Sequence, residues 1–165
     1  MAIVYLDSAL SYSGVATTTI TGLSHLEGKT VYALADGLSV GPFIVSSGQI
    51  TLNTAASNVV VGLKYKTTIK LLEPDFQTET GTTYGQPKEV HKATAYFIDT
   101  GSGVQIGTAS DEMKGIPDLG FGLTTCETSV LISDGDKTGQ VIVEQEAALP
   151  MYLAAVYYDI SPGDE

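Results

Sequence analysis

Few side chains in this sequence combine the type and spacing that catalysis needs. Its 165 residues hold two histidines, His25 and His91, and one cysteine, Cys126. His25 stands in SHLEG, the wording of a turn, where an imidazole bonded to backbone is expected. His91 falls in the run KEVHKATAYFID and reads as a packed or interface imidazole, not as a general base. Neither lies in HExxH, in a Cys/His cluster or beside a carboxylate pair, the settings in which zinc is held. Cys126, in GLTTCETSV, has no partner motif and reads as a small buried apolar side chain. Ser133, Asp134 and Asp136 offer the oxygen ligands that calcium takes. The run lacks the further spaced ligands and closing glutamate of an EF-hand, and Lys137 brings the wrong charge. Gly101, Gly103 and Gly107 have the composition of a phosphate loop, but no helix start and no P-loop lysine follow them. Serine is common, yet no GxSxG elbow is present. Nowhere do nucleophile, base and orienting group fall together. The sequence therefore predicts no enzyme, no cofactor and no metal site.

Charge points the same way. The formal net charge is −11, the lysines number eight and arginine is absent. Arginine is the residue suited to bidentate phosphate and base-edge contacts, and affinity for a polyanion needs clustered basic groups. Lys64, Lys66 and Lys70 lie close together, but Glu73 and Asp75 follow at once. A sequence-specific nucleic-acid surface is not expected. Nine tyrosines, Tyr5, Tyr12, Tyr32, Tyr65, Tyr84, Tyr96, Tyr152, Tyr157 and Tyr158, carry apolar rings with polar tips, which serve both β-cores and interfaces. A lone cysteine permits no intrachain disulfide. The opening MAIVYLDSA lacks a basic n-region and a long apolar h-region, and no apolar stretch reaches the ~20 residues of a membrane helix. The expectation is a soluble protein made in the cytoplasm, without membrane insertion.

The elements that must position these residues read as strands. Hydrophobic residues make up 43% and charged residues only 16%, the balance being Gly, Thr and Ser, as in compact β-structure. Strands are expected at Val15–Thr21, Lys29–Leu34, Phe43–Val45, Gln49–Leu52 and Asn58–Tyr65, with turns at Asp36-Gly37 and Ser47-Gly48. Glu73–Pro87, EPDFQTETGTTYGQP, is polar and rich in turn formers; it is a long loop, a linker, or an arm reaching a neighbouring subunit. A boundary near Leu72 divides residues 1–72, an N-terminal β-domain, from residues 88–165, a C-terminal β-domain, with 73–87 between them. Lys88–Asp99 alternates, with Val90, Thr94, Tyr96 and Ile98 on one face and His91, Ala93, Ala95 and Phe97 on the other. A glycine-rich turn leads to Val104–Ile106, and Asp111–Gly122 is an irregular excursion. Val130–Ile132 and Gln140–Gln145 flank SDGDKTG, a hairpin connection by its Asp-Gly content. Met151–Ile160 is a closing strand, and Ser161–Glu165 a polar tail. Helix competes at Thr30–Leu38 and Ala147–Val156 without a sustained amphipathic period. The fold class is all-β, as two small antiparallel sandwich or barrel-like sub-domains.

Four segments carry a family resemblance: DSALSYSG (Asp7–Gly14), GLSHLEGKTVYALADG (Gly22–Gly37), ITLNTAASNVVVGLKY (Ile50–Tyr65) and KEVHKATAYFIDTGSGVQIG (Lys88–Gly107). In order and spacing they resemble the C-terminal β-module of the nozzle or DNA-stabilisation (tail tubular) proteins of short-tailed bacteriophages. VIVEQEAALPMYLAAVYYDI (Val141–Ile160) is similar to that family's closing strand. The resemblance implies a virion structural component located in the tail and synthesised in the host cytoplasm. It implies as partners other tail or virion proteins and copies of the chain itself in a homo-oligomer. Members of that family are much longer than this chain, with the module at their end, and no catalytic residue carries over. The alternative expectation is a receptor- or glycan-binding tail module.

Overall fold

In a computed structural model the chain is described over residues 5–79, 81–108, 113–119, 122–132 and 138–162. It is all-β: a single 3-10 turn at Ser24–Leu26 is the one helical element among the described residues, and no sheet closes into a barrel. Contacts divide the chain into Met1–Lys66 with Glu146–Pro150, and Thr67–Gln145 with Met151–Glu165. The division falls earlier than Leu72, because Thr67–Lys70 pairs with Val141–Gln145 of the second unit.

The first unit is one antiparallel sheet of β1 (Asp7–Thr21), β2 (Thr30–Ala35), β3 (Leu38–Ile44) and β4 (Gln49–Leu63), in the order β1-β4-β2-β3. Two Gly-containing pairs make its tight turns. Asp36 (φ 47°) with Gly37 (φ 89°) joins β2 to β3, and Ser47 (φ 54°) with Gly48 (φ 68°) leads into β4. Positive φ at both central residues is the geometry whose twist matches that of the flanking strands. A carboxylate clamps each neighbourhood: Glu27 accepts from Ser47 N and Gly48 N at 2.8 and 2.7 Å, and Asp36 accepts from Ser57 N and Asn58 N at 3.1 and 2.9 Å. The segments expected as separate strands, Gln49–Leu52 and Asn58–Tyr65, form the single strand β4. The turn-like wording between them appears instead as broken register, Thr17 pairing with Ala56 and Thr19 with Thr51. On either side of this irregularity, Ile20, Ile50 and Leu52 share one core with Val31, Val59 and Val61.

The second unit is a two-sheet sandwich. One sheet holds β5 (Thr67–Lys70), β9 (Val104–Thr108), β10 (Lys114–Gly115) and β12 (Val141–Gln145) in the order β10-β9-β12-β5. The other holds β8 (Lys88–Thr100), β11 (Thr124–Leu131) and β13 (Leu153–Pro162) in the order β11-β8-β13. Phe97, Ala95, Val104, Ile106, Val141 and Val143 meet between them as a buried core. Neither helical alternative forms: Thr30–Leu38 is strand and turn, and Ala147–Val156 runs without helix into β13.

Two expectations are corrected here, and a third is narrowed. First, Val90 is buried with Ala93, Ala95 and Phe97, while His91 is exposed. Lys92 pairs with Asp159 and Val90 with Ile160, so His91 is an extra residue in the ladder. One inserted residue reverses the phase of a period-2 pattern, which is why alternation counted from Tyr96 misplaces both side chains. Second, β11 and β12 do not form a hairpin: β11 pairs with β8, whereas β12 pairs with β5 and β9 in the other sheet. The Asp-Gly wording indicates a turn but not which sheet the next strand joins. Residues 133–137, with Ser133, Asp134, Asp136 and Lys137, lie outside the described residues.

Third, of the readings open for Glu73–Pro87, the loop agrees with the structure and the inter-domain linker does not. The segment belongs to the second unit and contains a small ladder, β6 (Gln77–Thr78) with β7 (Gly81–Thr82). Glu73 accepts from Lys88 Nζ at 2.6 Å and from Gly85 N at 3.1 Å. Asp75 accepts from the hydroxyls of Thr82 and Thr83. The Lys88 side chain is 0% exposed, and its ammonium also donates to Gln86 O at 3.2 Å. A buried cation is tolerated only when it is paired and hydrogen-bonded, so the segment's fold and the burial of Lys88 depend on each other.

Candidate interaction surface

The residues with catalytic chemistry are scattered. His25 Nε2 donates to Ser8 O at 3.0 Å, an imidazole bonded to backbone beside the 3-10 turn. A 2.8 Å hydrogen bond joins His91 Nε2 and Ser161 Oγ on the exposed side of β8 and β13. Histidine and serine are base and nucleophile types. Catalysis by such a pair also calls for a group orienting the ring and donors for an oxyanion. Cys126 sits half-buried on β11 against the second core. Burial, aided by the nearby Asp118 charge, pushes its thiol up, away from the thiolate a nucleophile requires. Gly103 (φ 88°) turns the chain from β8 to β9 between sheets, and Gly107 lies within β9. Among the described residues no three His, Cys, Asp or Glu side chains converge as a metal site. No helix there is long and apolar enough to cross a membrane.

Two hollows mark the described surface. A hollow of about 190 Å³ lies between the β2–β3 turn and β4, lined by Leu38, Val40, Leu52 and Ala56. That is smaller than the ~300–1,000 Å³ of typical small-molecule pockets. A wider groove of about 510 Å³ runs along β13, between Leu71, Leu72 and Pro74 on one side and Leu153, Val156 and Tyr158 on the other.

Outward of β8 and its neighbours lies a tyrosine-bearing face. Ser129, Thr94 and Tyr157 form one cross-strand row, and Glu127, Tyr96 and Ala155 the next. Thr94 and Ser129 share a 2.8 Å hydroxyl bond. Strand alternation produces this face: the partners of these residues point into the Phe97 core, leaving hydroxyls and rings outside. The sequence flagged the tyrosines but not their convergence, which depends on the pairing of β8 with both β11 and β13.

Several large exposed apolar side chains stand on strands that end sheets, Val15 on β1, Leu38 and Ile44 on β3, Leu131 on β11 and Tyr157 on β13, while others lie on the central β8 or between strands. Single exposed apolar residues are ordinary on a protein surface. Their recurrence on edge strands places apolar area beside unpaired backbone groups, the two things a neighbouring strand or subunit covers. No protein-family model matches this chain, and comparison with curated proteins yields no match.

Proposed function

We propose that this chain is a structural component of a bacteriophage tail, acting through its surface by assembling with other tail proteins and with copies of itself. The observation that carries the reading is the set of edge strands bearing exposed apolar side chains, Val15, Ile44, Leu131 and Tyr157 among them. The resemblance of Asp7–Gly14, Gly22–Gly37, Ile50–Tyr65 and Lys88–Gly107 to the tail nozzle module supplies the setting. The charge balance agrees: a surface of net charge −11 without arginine suits a particle part that encapsidated DNA passes without sticking.

A second reading, a receptor- or glycan-binding tail module, is favoured by the face carrying Tyr96 and Tyr157 beside the Thr94 and Ser129 hydroxyls. Aromatic rings flanked by hydroxyls combine stacking area with hydrogen bonding. Co-sedimentation separates the two. Mixed with the other tail proteins of the same phage, the purified chain is expected to sediment with them. A chain that stays apart from them, and instead binds host cells or their glycans, overturns the structural reading in favour of the second.

A further inference from the structure

The stretch of residues 72–87 is anchored at both ends. At one end Leu71 N donates to Val141 O at 2.9 Å, and Leu71 O accepts from Gln140 Nε2 at 3.3 Å, which ties the chain to the start of β12. At the other, Lys88 opens β8 opposite Pro162 of β13. Between these anchors the stretch bonds to itself. The β6–β7 ladder is a separate sheet and, among the described residues, pairs with neither sheet of the sandwich. Thr83 N donates to Phe76 O at 3.2 Å, Phe76 N to Thr83 Oγ1 at 3.1 Å and Gln86 N to Thr83 O at 3.1 Å. Asp75 holds the Thr82 and Thr83 hydroxyls. Thr80 lies outside the described residues, and none of these contacts involves it.

The link to the sandwich is concentrated at Lys88. Glu73 accepts from Gly85 N, which closes the neck of the stretch, and the same carboxylate oxygen accepts from the buried Lys88 ammonium. Pro74 packs at this point too. A Cβ on Gly139 would lie 3.3 Å from Pro74 Cγ and 3.2 Å from Lys88 Cβ, so the bare glycine lets proline and lysine stem sit side by side. Thr83 is buried, but the large side chains of Leu72 and Tyr84 are 86% and 69% exposed and contribute little burial.

We propose that residues 72–87 form a strap that opens and closes over Lys88 as one unit, latched by the Glu73–Lys88 pair, while the sandwich beneath stays folded. Segments with few buried apolar contacts and solvent-exposed hydrogen bonds open locally, below the cost of global unfolding. This strap keeps its own ladder and its Asp75 bonds when it lifts. It gives up the ion pair, the packing at Gly139 and the burial of Thr83. The ladders of β8 with β11 and β13 run without it. Opening also admits water to Lys88. A buried ammonium without its carboxylate is costly, and hydration removes that cost, so loss of Glu73 drives the strap open instead of unfolding the sandwich. On a chain of net charge −11, the strap thus makes the exposure of one cation conditional. This device is independent of the tail reading and of its test.

The test is amide-resolved hydrogen exchange on the full chain at neutral pH. In wild type the amides of Phe76, Thr83, Gly85 and Gln86 are expected to be protected, to exchange through one shared opening, and to do so faster than the paired amides of β8 and β12. Glu73→Gln is expected to speed these four together by about tenfold or more, the worth of a charged hydrogen bond, with β12 unchanged. Lys88→Met removes the latch without leaving a buried charge. It is expected to speed the same amides to a smaller extent, and it replaces the first variant should that one not fold. Glu79→Gln, in the turn between β6 and β7, removes the same charge away from the latch and is expected to change nothing. Strap amides unprotected in wild type, or as slow as those of β12, overturn the proposal. So do four unrelated rates, strap exchange indifferent to both Glu73→Gln and Lys88→Met, or a Glu79→Gln effect equal to theirs.

Discussion

Lys88 and Glu73 show how one ion pair organises a segment that reads as a loop. The Lys88 side chain is 0% exposed and that of Glu73 22% exposed, so the two partners are not equivalent. Replacing Glu73 by Gln leaves a buried ammonium without its counter-charge; replacing Lys88 by Met leaves a carboxylate that water still reaches. Glu73→Gln is therefore expected to lower the urea midpoint more than Lys88→Met, and the reverse order would contradict this account of the pair. The same carboxylate gives a pH dependence. The Lys88 ammonium, then the Gly85 N–H, hold Glu73 below its ordinary range. The Thr82 hydroxyl does the same for Asp75, and the Asn58 and Ser57 N–H groups for Asp36. Their folded values lie below the unfolded ones, so the unfolded chain binds more protons as pH falls through this range. The stability they contribute is complete above the ordinary carboxylate range and is lost in acid as pH falls through the folded values. Urea midpoints measured from neutral pH downward should decline there, and Glu73→Gln should make the decline shallower. None of this clamp was legible in the sequence, because Glu73 and Lys88 are separated by a stretch whose composition says only loop. His25 was legible, since its turn wording implied the backbone bond it makes.

At the scale of elements, local signals were readable where the responsible residues are adjacent. Asp36-Gly37 announced its turn because only certain residues accept positive φ twice in succession. The strand at Lys88–Thr100 was equally plain from its alternation. The inserted His91 was not, because a bulge is recognised only against its partner strands. Nor was the separation of β11 from β12 into different sheets, since Asp-Gly wording fixes a turn and not a pairing. Close approach is a further property hidden in sequence. Gly62 lies in VVVGL like any strand glycine, but a Cβ there would meet Asp7 O at 2.7 Å and Leu6 Cβ at 2.9 Å. At Gly115 a Cβ meets nothing within 4 Å. Gly62→Ala is expected to destabilise by about 1–3 kcal/mol, the cost of overpacking. Gly115→Ala should stay within about 0.5 kcal/mol of wild type. Denaturant titration of the two variants compares them directly, and equal midpoints would refute the close approach of β1 to β4.

For the whole molecule, the all-β class followed from composition and turn spacing, while the interaction surface did not. Tyr96 and Tyr157 become neighbours only once β13 is laid against β8, and the open edge of β13 exists only because the closing strand is the last of its sheet. Two separate cores, around Val31 and Phe97, account for most of the buried apolar side chains, and what remains outside is hydroxyl-rich, poor in positive charge and apolar along its sheet edges. Burial in an assembly, the role proposed for this chain, would cover such a surface. The most direct measurement is immunogold labelling of purified phage particles with antibodies raised against this chain. Labelling confined to the tail is the predicted result; particles whose tails remain unlabelled, with the chain left in the unassembled fraction of the lysate, would contradict it.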